Sequence, residues 1–146
     1  MSGDADPDNG TDNDNGDGDA LKKIMLVEDD TDIRTVASMA LEMVGGLEVR
    51  AFASGEEALA AVAGVAPQLI VLDVMMPGMN GPEVLAHLRE QGATAGIPVV
   101  FMTAKAQPEE VERLRALGVL DVIAKPFDPM TLADTIKALW AGRNRI

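Results

Sequence analysis

The sequence predicts a doubly wound α/β domain, an open parallel sheet with helices packed on both faces. Two observations carry the prediction. Short runs that are apolar at every position alternate with longer segments whose apolar residues recur at helical spacing. Most of these runs also end abruptly at a charged or hydroxyl residue. A strand apolar on both faces must be covered on both sides, and the crossover helices of successive βαβ units do this. The order reads βαβαβαβαβα, with no internal repeat.

Ile24-Met25-Leu26-Val27 is the first such run, and polarity jumps at Glu28-Asp29-Asp30. Ile33, Val36, Ala37, Ala40, Leu41 and Val44 then recur at helical spacing until Gly45-Gly46 stops the helix, with Asp30 and Asp32 as its caps. Residues 47–52 alternate, Leu47, Val49 and Ala51 against Glu48 and Arg50, which suits an edge strand. Ser54 and Glu57 form a capping box before Ala58, Leu59 and Val62. Leu69-Ile70-Val71-Leu72 stops at Asp73, and Pro82 sits at a first helical position before Val84, Leu85 and Leu88. Residues 98–102 form a further run that stops at Thr103, and Pro108 opens a helix through Val111 and Leu114. Residues 119–124 are less purely apolar and stop at Lys125; Asp128 then caps a last helix through Leu132, Ile136 and Leu139.

Composition narrows the function. The 146 residues fit one domain, and 24 acidic against 12 basic side chains give a net charge of −12. Such acidity disfavours nucleic acid and anionic membranes as partners. The absence of Cys excludes a disulfide framework, a thiolate metal site and a cysteine nucleophile, and the single His, His87, leaves little for a zinc site or a Ser-His-Asp triad. His87 itself reads as a solvated helix residue. The first twenty residues hold neither a base nor an apolar run, and nothing approaches about 18 consecutive apolar residues, so a cytoplasmic location is expected.

Residues 1–20 carry seven Asp and no base among Gly, Asn, Ser and Thr, so a disordered acidic tail is expected ahead of a folded unit at 21–146. The Asp/Asn/Gly pattern resembles a calcium loop. Taking Gly16 or Gly18 as the turn glycine, however, puts Lys22 or Ile24 where the loop needs Glu.

In open α/β sheets ligands bind outside the carboxyl ends of the strands. This chain places Glu28, Asp29 and Asp30 after its first strand, Asp73 after its third, Thr103 after its fourth and Lys125 after its fifth. If the first and third strands lie side by side, Glu28, Asp29 and Asp73 share a cleft. Clustered carboxylates repel one another and call for a hard divalent cation. Mg2+ fits best, because it needs only one or two direct carboxylates and keeps waters for a phosphoryl group. Thr103 offers a hydroxyl donor and Lys125 a point charge for a phosphoryl oxygen.

Four segments carry a specific resemblance: IMLVEDD at 24–30, LDVMMPGMNG at 72–81, MTAK at 102–105 and AKPF at 124–127. In this order and spacing the chain resembles the CheY-like receiver domain of two-component response regulators, from Lys22 to about Trp140. The resemblance implies a flavodoxin-like sheet with strand order 2-1-3-4-5. It implies that Asp73 is the phospho-acceptor, attacking a phosphohistidine on a sensor histidine kinase or histidine phosphotransfer protein. Asp29, Asp73 and the main-chain carbonyl of Met75 would ligate Mg2+, with Glu28 acting through water. Thr103 would hydrogen-bond the bound phosphoryl group, Lys125 would pair with it, and the Lys125-Pro126 peptide would be cis. The chain would catalyse only its own phosphorylation and dephosphorylation.

Three rivals fare worse. An aspartyl-phosphate phosphatase resembling the haloacid dehalogenases needs a second Asp where this chain has Met75. A flavin mononucleotide carrier needs a phosphate cradle where Glu28-Asp29-Asp30 would repel phosphate. A phosphorylation-independent adaptor would tolerate a degenerate pocket, and none of the five pocket positions is degenerate. With six residues after Trp140, a stand-alone receiver is expected, signalling or relaying by a protein contact in trans. One position departs from the pattern: many receivers carry Tyr or Phe three residues before the lysine, and here stands Val122.

Overall fold

The structure, a computed structural model, describes residues 20–144. The acidic tail at 1–19 lies outside the described residues. Five strands and five α-helices alternate: β1 (Lys23–Val27), α1 (Thr31–Met39), β2 (Glu48–Phe52), α2 (Gly55–Val65), β3 (Leu69–Asp73), α3 (Gly81–Glu90), β4 (Val99–Thr103), α4 (Pro108–Arg115), β5 (Asp121–Ala124) and α5 (Leu132–Ala141). All neighbouring strands pair in parallel, in the order β2-β1-β3-β4-β5, so the fold is the flavodoxin-like one that the motifs imply.

Because side chains alternate across a strand, each apolar run feeds two cores. Ile24, Leu26, Leu69, Val71, Val100 and Met102 face α1 and α5, meeting Ala37, Leu132, Ala133 and Ile136. Met25, Val27, Ile70, Leu72, Val99 and Phe101 face the other way, onto Ala58 and Val62 of α2, Val84 and Leu88 of α3, and Leu114 of α4. Each such buried aliphatic side chain contributes roughly 1.5–3 kcal/mol over an exposed one. β3 and β4 are buried along their whole length, whereas β2 lies at the edge and is exposed or half-buried; Ala51, expected on its apolar face, is exposed. This rigid frame holds the strand ends that carry the charged residues.

Local departures have local causes. The first helix is not α-helical to its end: residues Ala40–Val44 form a π-helical turn, with the Gly45 N–H donating to the Ala40 carbonyl at 3.2 Å. The wider turn keeps Ala40 and Leu41 buried but rotates Val44, expected on the inner face, outward. Gly45 is needed there, since a Cβ would stand 2.6 Å from the Cβ of Ala133 in α5. Asp30 does cap α1, accepting from the Ile33 N–H at 3.0 Å, but Asp32 sits inside the first turn. Asp128 does not cap α5: Thr131 holds that position, and the Asp128 carboxylate accepts from the Met130 N–H in the preceding turn. At α2, Ser54 accepts from the Glu57 N–H, while Glu57 reaches back to the N–H of Ala53 rather than that of Ser54. The complete capping box is at α3, between Asn80 and Glu83. Among the described residues, no helix is long and apolar enough to cross a membrane.

Candidate functional site

The sheet register assembles the site. Val27 pairs with Leu72 and Thr103 with Ala124, so Glu28, Asp73, Thr103 and Lys125 emerge at the carboxyl ends of four adjacent strands. Carboxylate oxygens of Glu28, Asp29 and Asp73 all lie within 4.8 Å of one another. Glu28 and Asp73 are buried, 0% and 1% exposed, while Asp29 faces solvent. The Lys125 ammonium stands between the two buried carboxylates, 3.0 Å from Glu28 Oε1 and 3.0 Å from Asp73 Oδ1. Glu28 is held at every polar atom. Its N–H donates to the Phe52 carbonyl at 3.0 Å, Oε2 accepts from the Asp30 N–H at 3.0 Å, and its carbonyl accepts from Arg34 at 2.8 Å.

The electrostatics follow from burial and from charge count. Burial pushes the Asp73 carboxyl up from 3.8 to about 7; the Lys125 hydrogen bond opposes this, and the charge of Glu28 restores it. Burial alone would lower Lys125, but its bonds to Asp73 and Glu28 outweigh that and hold it above the usual lysine range. One ammonium thus faces two buried carboxylates, with a third at the rim. The cleft is short of positive charge, which either a proton on Asp73 or a divalent cation on the three carboxylates supplies. That donor set, hard oxygens half open to water, fits Mg2+.

Thr103 is buried at the end of β4, and its hydroxyl is engaged within the following loop. Its Oγ1 accepts from the Lys105 N–H at 3.0 Å and lies 3.3 Å from the Lys105 carbonyl, to which it donates. Met75 lies two residues past Asp73 with its side chain in solvent, outside the three-carboxylate group. Gly81 is required by close approach: a Cβ there would stand 2.6 Å from the Asp73 carbonyl and 3.1 Å from Phe101. The Lys125-Pro126 peptide is cis. His87 is half-exposed on α3, 3.8 Å from Glu90. An open apolar groove of about 470 Å³, lined by Ile33, Val36, Pro126, Phe127 and Pro129, adjoins Lys125. A larger cavity of about 600 Å³ lies at the opposite end of the sheet, near Gln68, Pro98 and Trp140, away from these groups.

Sequence reasoning missed Arg34 and the Asn80–Glu83 box. The box was readable from the Asn-Gly-Pro-Glu string; Arg34 gives no local signal beyond standing one helical turn after the acidic loop.

Comparisons with known proteins find relatives of the folded unit. Residues 24–137 match the response regulator receiver domain. The chain is 35% identical over 118 residues to the phosphate regulon transcriptional regulatory protein PhoB of Pseudomonas aeruginosa, covering 81% of this chain and 51% of that protein. It is 35% identical over 117 residues to the DNA-binding response regulator MtrA of Mycobacterium tuberculosis, covering 80% of this chain and 50% of that one. The chain therefore spans about half the length of the curated relatives it matches. The Vibrio cholerae chemotaxis protein CheY4 superposes with a TM-score of 0.75 at 33% identity, covering 82% of this chain and 99% of that structure. On these grounds the chain belongs to the response regulator receiver domain family of two-component systems.

Proposed function

We propose that this chain takes a phosphoryl group onto Asp73 from a phosphohistidine of a sensor histidine kinase or histidine phosphotransfer protein. The observation that carries the reading is the Lys125 ammonium seated between Glu28 and Asp73 at the closed end of an acidic cleft. Asp29, Asp73 and the Met75 carbonyl would hold Mg2+ directly, with Glu28 acting through water. When bound, the cation neutralises phosphoryl oxygens that three carboxylates would otherwise repel.

The chain's own residues do the rest. An oxygen of ionised Asp73 attacks the phosphorus, the P–N bond breaks, and its electron pair leaves with the donor imidazole. Lys125 is already bonded to Asp73 and pairs with the incoming phosphoryl group with little movement. Thr103 gives up its two bonds to Lys105 and donates to a phosphoryl oxygen, which pulls the loop leading into α4. Val122 has no ring to swing and is stiff at χ1, so the shift of residues 104–117 carries the signal without an aromatic gate. The donor protein sits over the apolar groove beside Lys125, where Ile33 and Phe127 offer it a surface.

The receiver unit is residues 21–146, with residues 1–20 as an acidic appendage. It acts in the cytoplasm, it turns over no substrate but its own phosphoryl group, and its output is a protein contact in trans or a further relay step. The test is incubation with a small phosphodonor and with a phosphorylated kinase, with and without Mg2+. The native protein should gain label that requires Mg2+, and Asp73→Asn should gain none. Label on Asp73→Asn, or no label on the native chain, overturns the reading and favours a phosphorylation-independent adaptor.

A further inference from the structure

We propose that Arg34 is a positioning residue of the cation cleft, bridging the main-chain carbonyls of Glu28 and Asp29 and so setting where the Asp29 carboxylate points. The inference rests on the reading of this cleft as a Mg2+ site. β1 ends at Val27, and among the described residues no main-chain N–H reaches the carbonyl of residue 28 or 29. Both carbonyls meet the same side-chain atom instead. Arg34 Nη1 lies 2.8 Å from the Glu28 carbonyl and 3.4 Å from that of Asp29. Donors are supplied to a segment that the sheet has left and the helix has not yet reached.

The two acidic residues depend on this bridge unequally. Glu28 is fixed through its carboxylate by Lys125 and by the Asp30 N–H, and would keep its place without Arg34. Asp29 is exposed, and among the described residues nothing donates a hydrogen bond to its carboxylate. Its aim is therefore whatever its backbone dictates; Arg34 holds that backbone at the carbonyls of residues 28 and 29, and Glu28 Oε2 holds it at the Asp30 N–H. Arg34 itself is fixed on the first turn of α1, its N–H donating to the Asp30 carbonyl at 2.9 Å.

Charge and positioning predict opposite signs. Removing a cationic side chain beside a cation site tightens Mg2+ binding if only charge matters. If Arg34 positions Asp29, the same removal weakens it. Mg2+ is titrated calorimetrically into EDTA-treated, dialysed native protein, Arg34→Met and Arg34→Lys, with melting curves without Mg2+ as a check on the fold. The Mg2+ Kd should rise about tenfold in Arg34→Met and about threefold in Arg34→Lys, in the range of losses seen when groups that orient metal ligands are removed. An unchanged or smaller Kd in folded Arg34→Met overturns the inference and leaves the cleft's function standing. If Arg34→Met does not fold, Arg34→Lys decides, and a Kd equal to the native one overturns the inference. A native protein that binds no Mg2+ overturns the reading of the cleft, and the inference with it.

Discussion

Replacing Asp73 by Asn should make the metal-free protein more stable, and the gain should grow with pH. The carboxyl titrates near 3.8 when unfolded and near 7 in the folded chain, because burial and Glu28 disfavour its charge more than Lys125 favours it. A carboxyl raised on folding binds its proton more tightly in the native state. Its contribution is fully present below about pH 4 and is lost as pH rises through 7. At about 1.4 kcal/mol per tenfold change in proton affinity, the ceiling of that loss at pH 8 is roughly 4 kcal/mol. Asn keeps the shape but gives Lys125 a weaker partner, and water enters the rim beside Asp29. The realised gain should therefore be roughly 1–2 kcal/mol at pH 8, shrinking to under about 1 kcal/mol at pH 5. The assay is urea unfolding of both proteins in EDTA at the two pH values, followed by circular dichroism. If the Asn variant is less stable at pH 8, or gains more at pH 5 than at pH 8, the cleft is not the strained cluster described.

Three further outcomes follow from the same geometry. Mg2+ at ten times its Kd should stabilise the native protein by about 1.4 kcal/mol and raise its melting temperature by several degrees, with a weaker response in Asp29→Asn; superimposable native curves with and without Mg2+ contradict the site. Gly81→Ala should cost about 2 kcal/mol or more, because the new Cβ meets the Asp73 carbonyl at 2.6 Å in a backbone that cannot move away; urea unfolding within about 0.5 kcal/mol of native would refute this. Val122→Ala should change the coupling between a phosphoryl mimic and partner affinity by less than about 1 kcal/mol, small beside typical allosteric couplings. Loss of the response in a folded Val122→Ala protein would make Val122 the gate.

The frame and the chemistry of the cleft were legible because strand ends announce themselves. A run apolar on both faces cannot continue into water, so Glu28, Asp73 and Thr103 mark where the buried strands stop, and Lys125 ends the half-buried β5. What the sequence concealed was geometry that leaves periodicity unchanged or joins distant segments. A π-helical turn at Ala40–Val44 widens the helix by one residue, and the apolar spacing on either side reads the same. Asp128 and Thr131 are both good cap residues, and only the turn between them decides which one heads α5. The bridge from Lys125 to two carboxylates spans 97 and 52 residues, so no local window contains it. Arg34 carries no mark of its role in the sequence, because the carbonyls it serves become visible only once the strand end is placed.

That long-range bridge has a consequence for how the chain reaches its fold. Pairing of β1 with β3 uses only residues up to Asp73, and it brings Glu28 and Asp73 together while their counter-charge is still absent. Lys125 arrives only when β5 docks on β4 at the far edge of the sheet. The N-terminal half is therefore locally frustrated: its apolar strands attract while their tips repel. Closing the last strand eases both problems at once, covering β4 and bringing the cleft its one ammonium. Assembly is thereby biased toward all-or-none behaviour, because a half-built sheet retains the repulsion without its remedy. The charges that suit Asp73 to phosphoryl chemistry also tie the fifth strand, through Lys125, to the tips of the first and third.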